Sequence, residues 1–207
     1  MQWFHADKPV AQFVFAHGAG AGMDSEFMQE VAKLIAKQGV SVALFDFPYM
    51  QKAKAENKRR PPDRADKLLA HFEEVIAQTE KALPLFIGGK SMGGRMASML
   101  VAKATGLESV RGVIAFGYPF HPPGKKDTLR VDHFADITVP FCVIQGQRDT
   151  FGKQDELSTL ADTRPAVIHW INDGDHSLVP RKKSGYTQAQ NWQQAADIAV
   201  AFIEEQL

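Results

Sequence analysis

The segment 85–100, LFIGGKSMGGRMASML, carries a serine between glycines where two apolar stretches meet. Residues 89–93 within it read G-x-S-x-G. A sharp turn from a strand into a helix needs small residues beside such a serine, because a Cβ there would collide with neighbouring backbone. The pattern therefore predicts a strand that ends near Gly88, a helix that begins near Met92, and a nucleophile at Ser91. The alternative is a glycine-rich turn with an ordinary helix-capping serine.

Short β-branched and aromatic runs alternate with longer helical patterns along the rest of the chain. The runs are almost continuously apolar, as expected of parallel strands that are covered on both faces. This order predicts an α/β fold with a doubly wound, mostly parallel sheet of six to seven strands and helices on both faces. The predicted strands are 12–16, 40–45, 84–89, 110–117, 139–146 and 166–171. The predicted helices are 25–38, 65–82, 92–105, 153–162 and 188–207.

Composition excludes several classes of protein. A chain of 207 residues with 44% hydrophobic and 23% charged residues is typical of a folded protein, and we expect one domain over residues 1–207. The single cysteine, Cys142, cannot form an internal disulfide, and no signal peptide or membrane-spanning run is evident, so we expect a cytoplasmic protein. The zero net charge removes a global electrostatic argument for nucleic-acid binding. Nothing in the sequence indicates an oligomeric state.

A serine hydroxyl needs a base to take its proton, and the base needs an acid to orient it. With this motif, the acid follows a later strand and the histidine follows the last one. Asp149 lies just beyond the fifth predicted strand in VIQGQRD, and His176 lies after the sixth in INDGDHS. We therefore expect Ser91, Asp149 and His176 to meet at one edge of the sheet as a catalytic triad. Asp173 and Asp175 are expected to cap the histidine loop instead.

The glycine-rich segment 15–25, FAHGAGAGMDS, follows the first predicted strand. Such a loop supplies one half of an oxyanion hole, and the residue after the nucleophile supplies the other half. We expect the backbone N–H groups of Ala19 and Met92 to be the donors. Gly18 and Gly20 are expected to let the backbone approach a ligand closely.

The same segment leaves a dinucleotide-binding alternative open, because it is similar to G-x-G-x-x-G and Asp46 ends the second predicted strand. Met23 replaces the third glycine of that pattern. This alternative would also leave Ser91, Asp149 and His176 unexplained, so the oxyanion hole is the favoured interpretation.

The motifs HGAGAG, GGKSMGGR, QGQRDTFG and GDHSL occur in the order typical of the α/β-hydrolase superfamily. The chain resembles the small, lidless bacterial members related to dienelactone hydrolases, over nearly its whole length. The resemblance implies Ser91 as nucleophile, Asp149 as acid and His176 as base, with strand order 4-3-5-6-7-8 in superfamily numbering and no metal or organic cofactor. The chain departs from the superfamily pattern in two places. We expect the first two superfamily strands to be missing or reduced to Gln2–His5, and segment 118–134 is too short for a cap domain.

The neutral total charge hides an uneven distribution. Segments 47–64, 117–130 and 177–186, called the basic loops below, hold 12 of the 24 Lys and Arg residues and 3 of the 24 Asp and Glu residues. All three leave the carboxyl ends of predicted strands, where open α/β sheets bind ligands. We expect a positive rim that attracts an anionic substrate, with the alternative that these loops are simply solvated.

Two further residues are candidate substrate contacts: Lys90, which precedes the serine, and His121, in the long connection after the fourth predicted strand. Together these patterns predict a serine hydrolase for a small-molecule ester or thioester, with no membrane or nucleic-acid partner. The alternative from another class is a non-catalytic binding or scaffold protein whose basic loops hold an acidic partner. A pure binder has no need of Ser91, Asp149 and His176 together, which favours the enzyme.

Overall fold

The structure is a computed structural model that describes residues 1–103, 107, 109–158 and 165–207. The strands are β1 (Gln2–Phe4), β2 (Ala11–Ala16), β3 (Val40–Phe45), β4 (Leu85–Lys90), β5 (Val110–Phe116), β6 (Phe141–Gly146) and β7 (Ala166–Ile171). The α-helices are α1 (Glu26–Ala36), α2 (Pro48–Ala55), α3 (Ala65–Ile76), α4 (Met92–Lys103), α5 (Gln154–Leu157) and α6 (Gln188–Glu204). A 3-10 turn spans Phe134–Asp136.

The seven strands form one sheet with the order β1-β3-β2-β4-β5-β6-β7. Strands β2 to β7 are parallel, whereas β1 pairs antiparallel with β3. The predicted mostly parallel α/β sheet is thereby confirmed. The six parallel strands follow the order that the superfamily resemblance implies, and β1 lies where a reduced strand was expected.

Apolar side chains cover both faces of the sheet, because successive strand residues point to opposite sides. Val14 and Ala16 of β2 belong to the core under α3 and α4, while Phe13 and Phe15 belong to the core under α1 and α6. The sheet is therefore buried between two helical layers, which explains why its strands are almost continuously apolar. Within the described ranges, no helix combines the length and the apolar character needed to cross a membrane.

The direction of chain progression reverses at the centre of the sheet. From β2 the chain continues to β3 on one side, and it then returns to β4 on the other side of β2. The loops that follow β2 and β4 therefore leave their strands in opposite directions, and a crevice opens between them. The G-x-S-x-G motif follows β4 and the glycine-rich loop follows β2, so both motifs border this crevice.

The structure corrects the prediction of a long loop over 47–64, because α2 lies within it. Pro48 occupies the first turn of α2, where proline is favoured, and alanine and lysine are good helix formers. Tyr49 is the buried residue of this helix, so the apolar periodicity that reveals a helix in sequence is missing. The helices predicted over 65–82 and 188–207 end earlier, at Ile76 and Glu204.

The predicted ends of two further helices lie outside the described residues. The helix predicted over 92–105 is present as α4 up to Lys103, and residues 104–106 are not described. The helix predicted over 153–162 is present as α5 up to Leu157, and residues 159–164 are not described.

Strand β4 tolerates no side chain at Gly88. A Cβ there would press against the carbonyl oxygen of Ile114 in β5 and would lie 2.9 Å from the ring of Phe13 in β2. Both neighbours are fixed in the centre of the sheet and are fully buried. The close approach of the central strands therefore requires glycine at this position.

We predict that Gly88→Ala lowers the free energy of unfolding by about 1–3 kcal/mol, because the added methyl group overpacks the centre of the sheet. Urea denaturation followed by circular dichroism measures this change. Gly20→Ala is the matched control, since a Cβ at Gly20 would meet no atom within 4 Å, and its effect should stay within about 0.5 kcal/mol. Equal stabilities of the two variants would contradict the packing argument.

Candidate active site

Ser91 stands on a sharp turn directly between β4 and α4. Its φ of +51° lies in the left-handed region, which is strained for a residue with a side chain. The turn is held by hydrogen bonds from Ser91 N to Phe116 O at 2.9 Å and from Arg95 N to Ser91 O at 3.1 Å. A Cβ at Gly89 would lie 2.6 Å from the carbonyl oxygen of Ala16 and from the nitrogen of Gly94. Only glycine therefore fits beside the serine on this side of the turn.

The three residues predicted to form a triad are joined by hydrogen bonds. His176 Nε2 lies 2.9 Å from Ser91 Oγ, and His176 Nδ1 lies 2.8 Å and 3.0 Å from the two carboxylate oxygens of Asp149. Asp149 is fully buried, whereas Ser91 and His176 are partly exposed. The serine hydroxyl is thus in contact with a base whose far nitrogen faces a buried carboxylate, which is the geometry that acyl transfer requires.

Two donors fix the carboxylate of Asp149 behind the imidazole. Gln145 Nε2 donates to one carboxylate oxygen at 2.9 Å, and Phe151 N donates to the other at 2.9 Å. Gln145 is fully buried and also donates to the carbonyl oxygens of Tyr118 and Gly152, both at 3.2 Å. Gln145 was not predicted as a site residue, although a polar residue near the end of an otherwise apolar strand was an available signal.

The loop that carries His176 is shaped by its own acidic residues. Asp175 accepts hydrogen bonds from Ser177 N at 2.8 Å and Val179 N at 3.0 Å. Hydrogen bonding to Arg181 lowers the pKa of the Asp173 carboxyl to about 2. Both acids therefore hold the loop and leave the imidazole to Asp149, as their position in the sequence suggested.

His17 and Tyr49 fix the glycine-rich loop that follows β2. His17 Nε2 accepts a hydrogen bond from Phe47 N at 3.0 Å, so its Nδ1 carries the proton and donates to Gly18 O at 2.6 Å. Burial lowers the pKa of His17, which keeps the ring neutral in this role. The hydroxyl of Tyr49 donates to Ala19 O at 3.0 Å. Neither residue had a predicted role, although His17 directly precedes the first glycine.

Asp46 also holds the glycine-rich loop. One oxygen accepts a hydrogen bond from Met23 N at 2.8 Å, and the other pairs with Lys54 Nζ at 2.6 Å. The carboxylate is 7% exposed, so it is committed to these protein partners. The dinucleotide-binding alternative required this carboxylate to face a ribose, and the structure gives it no support.

A cavity of about 570 Å³ opens beside Ser91 and His176. Its lining comes from the glycine-rich loop, the start of α1, the turn after β4, the loops after β6 and β7, and the start of α6. These residues are Gly18, Ala19, Gly20, Ala21, Ser25, Glu26, Phe27, Met28, Lys90, Ser91, Phe151, His176, Ser177, Val179, Gln188 and Trp192. Large apolar side chains make up one wall, so the cavity suits a largely apolar group.

The predicted oxyanion-hole residues lie on both sides of Ser91. Gly18, Ala19 and Gly20 line the cavity, and a Cβ at Gly18 would stand 3.6 Å from the Cβ of Ser91. Met92 is the first residue of α4, so its N–H group precedes the first hydrogen bond within that helix. Its side chain packs against the core.

The structure separates the two other candidate substrate contacts. Lys90 lines the cavity, and its Nζ donates to the carbonyl oxygen of His176. His121 is buried elsewhere, with Nδ1 at 2.9 Å from Pro122 O and Nε2 at 3.3 Å from a carboxylate oxygen of Glu156. It lines a different cavity, because its loop turns towards α5, so the structure does not bring His121 to the cavity beside Ser91.

The cations of the basic loops do not line the cavity, although these loops leave the carboxyl ends of strands, where ligands bind. Several pair with acids: Lys54 with Asp24 at 2.9 Å, and Lys126 with Glu156 at 2.7 Å. Of the described residues that line the cavity, Lys90 is the one cation. Any effect of the basic loops on a substrate therefore acts over a distance.

A second serine–histidine pair, Ser98 and His133, lies on the far side of α4. Ser98 Oγ is 2.8 Å from His133 Nε2, but it also donates to Arg95 O at 2.9 Å and is fully buried. Burial lowers the pKa of His133 to about 4. The hydroxyl proton is thus engaged by the helix, and Ser98 does not line the cavity, so this pair serves packing.

Solved structures with the same fold span nearly the whole chain. A dienelactone hydrolase from Anabaena variabilis superposes with a TM-score of 0.71 at 18% identity, covering 99% of this chain and 90% of that one. Est1E from Butyrivibrio proteoclasticus with ferulic acid bound gives 0.71 at 11% identity, with 99% and 94% covered. A putative α/β-superfamily hydrolase from Xanthomonas campestris gives 0.63 at 20% identity, with 95% and 99% covered.

A match between the sequence and a family model identifies the family of the chain. Residues 9–204 match a family model described as an alpha/beta hydrolase domain, which covers the parallel sheet, the glycine-rich loop and all three hydrogen-bonded side chains. The strand order and the turn at Ser91 are those expected of that fold. The chain therefore belongs to the alpha/beta hydrolase family.

Proposed function

We propose that this protein is a serine hydrolase that cleaves a carboxylic ester or thioester by acyl transfer to water. The observation that carries the proposal is the hydrogen-bonded series of Ser91, His176 and Asp149 at the mouth of a cavity. Membership of the alpha/beta hydrolase family and the likeness to known esterases support hydrolysis. The proposed reaction uses no metal or organic cofactor.

In the proposed reaction, His176 Nε2 takes the hydroxyl proton of Ser91 as Oγ attacks the carbonyl carbon. Asp149 holds the other ring nitrogen and stabilises the imidazolium that forms. The imidazolium then gives its proton to the leaving alcohol or thiol, and an acyl group stays on Ser91. His176 then deprotonates a water molecule that attacks the acyl carbon; the bond to Oγ breaks, Ser91 Oγ takes the proton back from His176, and the carboxylic acid leaves.

The negative charge on the carbonyl oxygen is proposed to be bound by the backbone N–H groups of Ala19 and Met92. The N–H group of Met92 points from the first turn of α4, where the helix dipole also favours negative charge. Ala19 is held in place because Tyr49 binds its carbonyl oxygen at 3.0 Å. Donors fixed before the reaction need no reorganisation during it, which makes them effective catalysts.

The acyl group is proposed to be apolar and to lie against Phe27, Met28, Val179 and Trp192. These side chains form the apolar wall of the cavity, and Phe27 meets Trp192 edge to face at 5.4 Å between ring centroids. The leaving group would then point outwards, towards the exposed cations of the basic loops. An anionic leaving group, such as the nucleotide of a thioester carrier, therefore remains part of the proposal.

The alternative of a non-catalytic binding or scaffold protein stays open to experiment. Its support is the excess of cations in the basic loops. It gives no reason for a strained serine beside an imidazole and a buried carboxylate.

A cytoplasmic location, expected from the single cysteine, also stays a prediction.

We predict that a fluorophosphonate probe labels the wild-type protein and Ser98→Ala but not Ser91→Ala. The probe reacts with activated serines, and among the serines that the structure describes only Ser91 contacts both His176 and the cavity. Asp149→Asn should lower kcat by about 10⁴-fold, because the carboxylate that fixes the tautomer of His176 and stabilises the imidazolium is then lost. Gel fluorescence and ester hydrolysis measure these effects. Silence of the wild type would favour the binding protein, whereas labelling of Ser91→Ala would show that a different serine is the nucleophile.

We predict that kcat/KM for neutral p-nitrophenyl esters rises about threefold to fourfold for each added acyl methylene until the cavity is filled. Burial of one methylene contributes about 0.8 kcal/mol. Val179→Thr, which keeps the shape of the wall but makes it polar, should reduce the rate for long acyl chains and leave acetyl esters unchanged. A profile that is flat, or that favours a charged acyl group, would contradict an apolar acyl site.

We predict that the rate ratio of an ester with an anionic leaving group to its neutral analogue falls about tenfold between low and high salt. Steering by the basic loops acts over a distance, and salt screens it. The acyl group is the same in both esters, so the ratio isolates the leaving group. If the ratio does not respond to salt, the basic loops are simply solvated.

A further inference from the structure

Lys90 places a positive charge inside the protein beside the proposed catalytic residues. The residue is 8% exposed, and its Nζ donates to the backbone carbonyl oxygen of His176. The same nitrogen lies 5.6 Å from the ring centroid of Phe27, a distance at which an ammonium group is attracted to the ring face. Lys90 is the last residue of β4, so this contact joins the strand that presents Ser91 to the loop that carries His176.

Gly117 leaves the space that this contact occupies. Its φ is +63°, and a Cβ there would lie 2.9 Å from Lys90 Nζ and 2.7 Å from His176 O. Gly117 is itself fixed by a hydrogen bond from its N–H to Ile144 O at 2.8 Å. The amine and the carbonyl therefore meet in a space that is walled by backbone, and the contact depends on the exact position of the histidine loop.

The charged groups around Lys90 are already engaged by other partners. Asp149 and Asp175 face the amine and favour its charged form, but Asp149 binds His176, and Asp175 binds the N–H groups of Ser177 and Val179. Glu26 and His176 are the other titratable groups on the same cavity. Burial outweighs the two carboxylates and lowers the pKa of Lys90 to about 8.

We propose that Lys90 is a positioning residue whose ammonium group holds the loop of His176 against the strand that ends at Ser91. A charged donor forms a stronger hydrogen bond to a carbonyl than a neutral amine does, and the attraction to the Phe27 ring also requires the charge. Loss of the proton therefore loosens the position of His176 relative to Ser91. This role rests on the proposed function, since it acts through the base of the same reaction.

Deprotonation of Lys90 has opposite effects on activity and on stability. The pKa of the amine is about 8 in the folded protein against 10.5 for a free lysine side chain, so between these values Lys90 binds more protons in the unfolded chain than in the folded one. The contribution of Lys90 to the free energy of unfolding therefore rises with pH across this window. Activity falls across the same window, because the proton that holds the histidine loop is lost. A residue with a merely structural role would not separate the two trends.

The experiment measures kcat, KM and the thermal unfolding temperature of the wild type, Lys90→Met and Lys103→Met from about pH 6 to 10. We expect wild-type kcat to fall tenfold per pH unit above about pH 8 with KM nearly constant. Over the same range, deprotonation of Lys90 should raise the unfolding temperature of the wild type relative to that of Lys90→Met. Lys90→Met should have a kcat about 100-fold lower at neutral pH and should not show the alkaline fall. Lys103→Met changes an exposed lysine on α4 and should behave as the wild type does.

A Lys90→Met variant that keeps normal kcat, or that keeps the alkaline fall, overturns the proposal. A change in KM alone also overturns it, because it would assign Lys90 to substrate binding. If Lys90→Met does not fold, the wild-type profile decides, since constant kcat through about pH 9.5 excludes the role. Fluorophosphonate labelling separates the two hypotheses: an unlabelled wild type refutes the proposed function, whereas equal labelling rates of wild type and Lys90→Met refute only the role of Lys90.

Discussion

The left-handed backbone of Ser91 exists because the turn after β4 is closed by backbone on several sides. Gly89 lies against Ala16 and Gly94, and Gly94 lies against Ala115. Strain of this kind persists only when the surrounding structure over-determines it, and here β2 and β5 supply that structure from both sides of the central strand. The hydroxyl, the glycine-rich loop and the histidine loop converge because parallel strands end at the same edge.

Buried polar side chains then fix each loop that reaches this edge. His17 and Asp46 bind backbone groups of the glycine-rich loop, Gln145 binds the acid, and Asp173 accepts a hydrogen bond from Arg181 N in the histidine loop. A buried polar group without a partner costs about 1–3 kcal/mol, so each of these bonds penalises a displaced loop. The proposed site is therefore rigid before substrate arrives, which is the condition for electrostatic catalysis.

The sequence allowed prediction of the parallel sheet and the turn at Ser91, because apolar runs and glycines act locally. It also indicated Asp149 and His176, since each follows the end of a strand. Helix α2 was missed because Tyr49 is its buried residue and no apolar stripe marks it. The sequence did not reveal that His121 lies away from the cavity beside Ser91, because the direction of a loop depends on tertiary partners such as Glu156. Charge counts could not reveal which cations lie paired, as Lys54 does.

The apolar wall of the cavity comes mainly from helices α1 and α6, and segment 118–134 does not contribute to it. Phe27, Met28 and Trp192 line the cavity and also belong to the hydrophobic core under α1 and α6. A mutation that reshapes this wall therefore disturbs packing at the same time. Evolution of this cavity towards another ligand would therefore have to compensate each such change elsewhere in the chain.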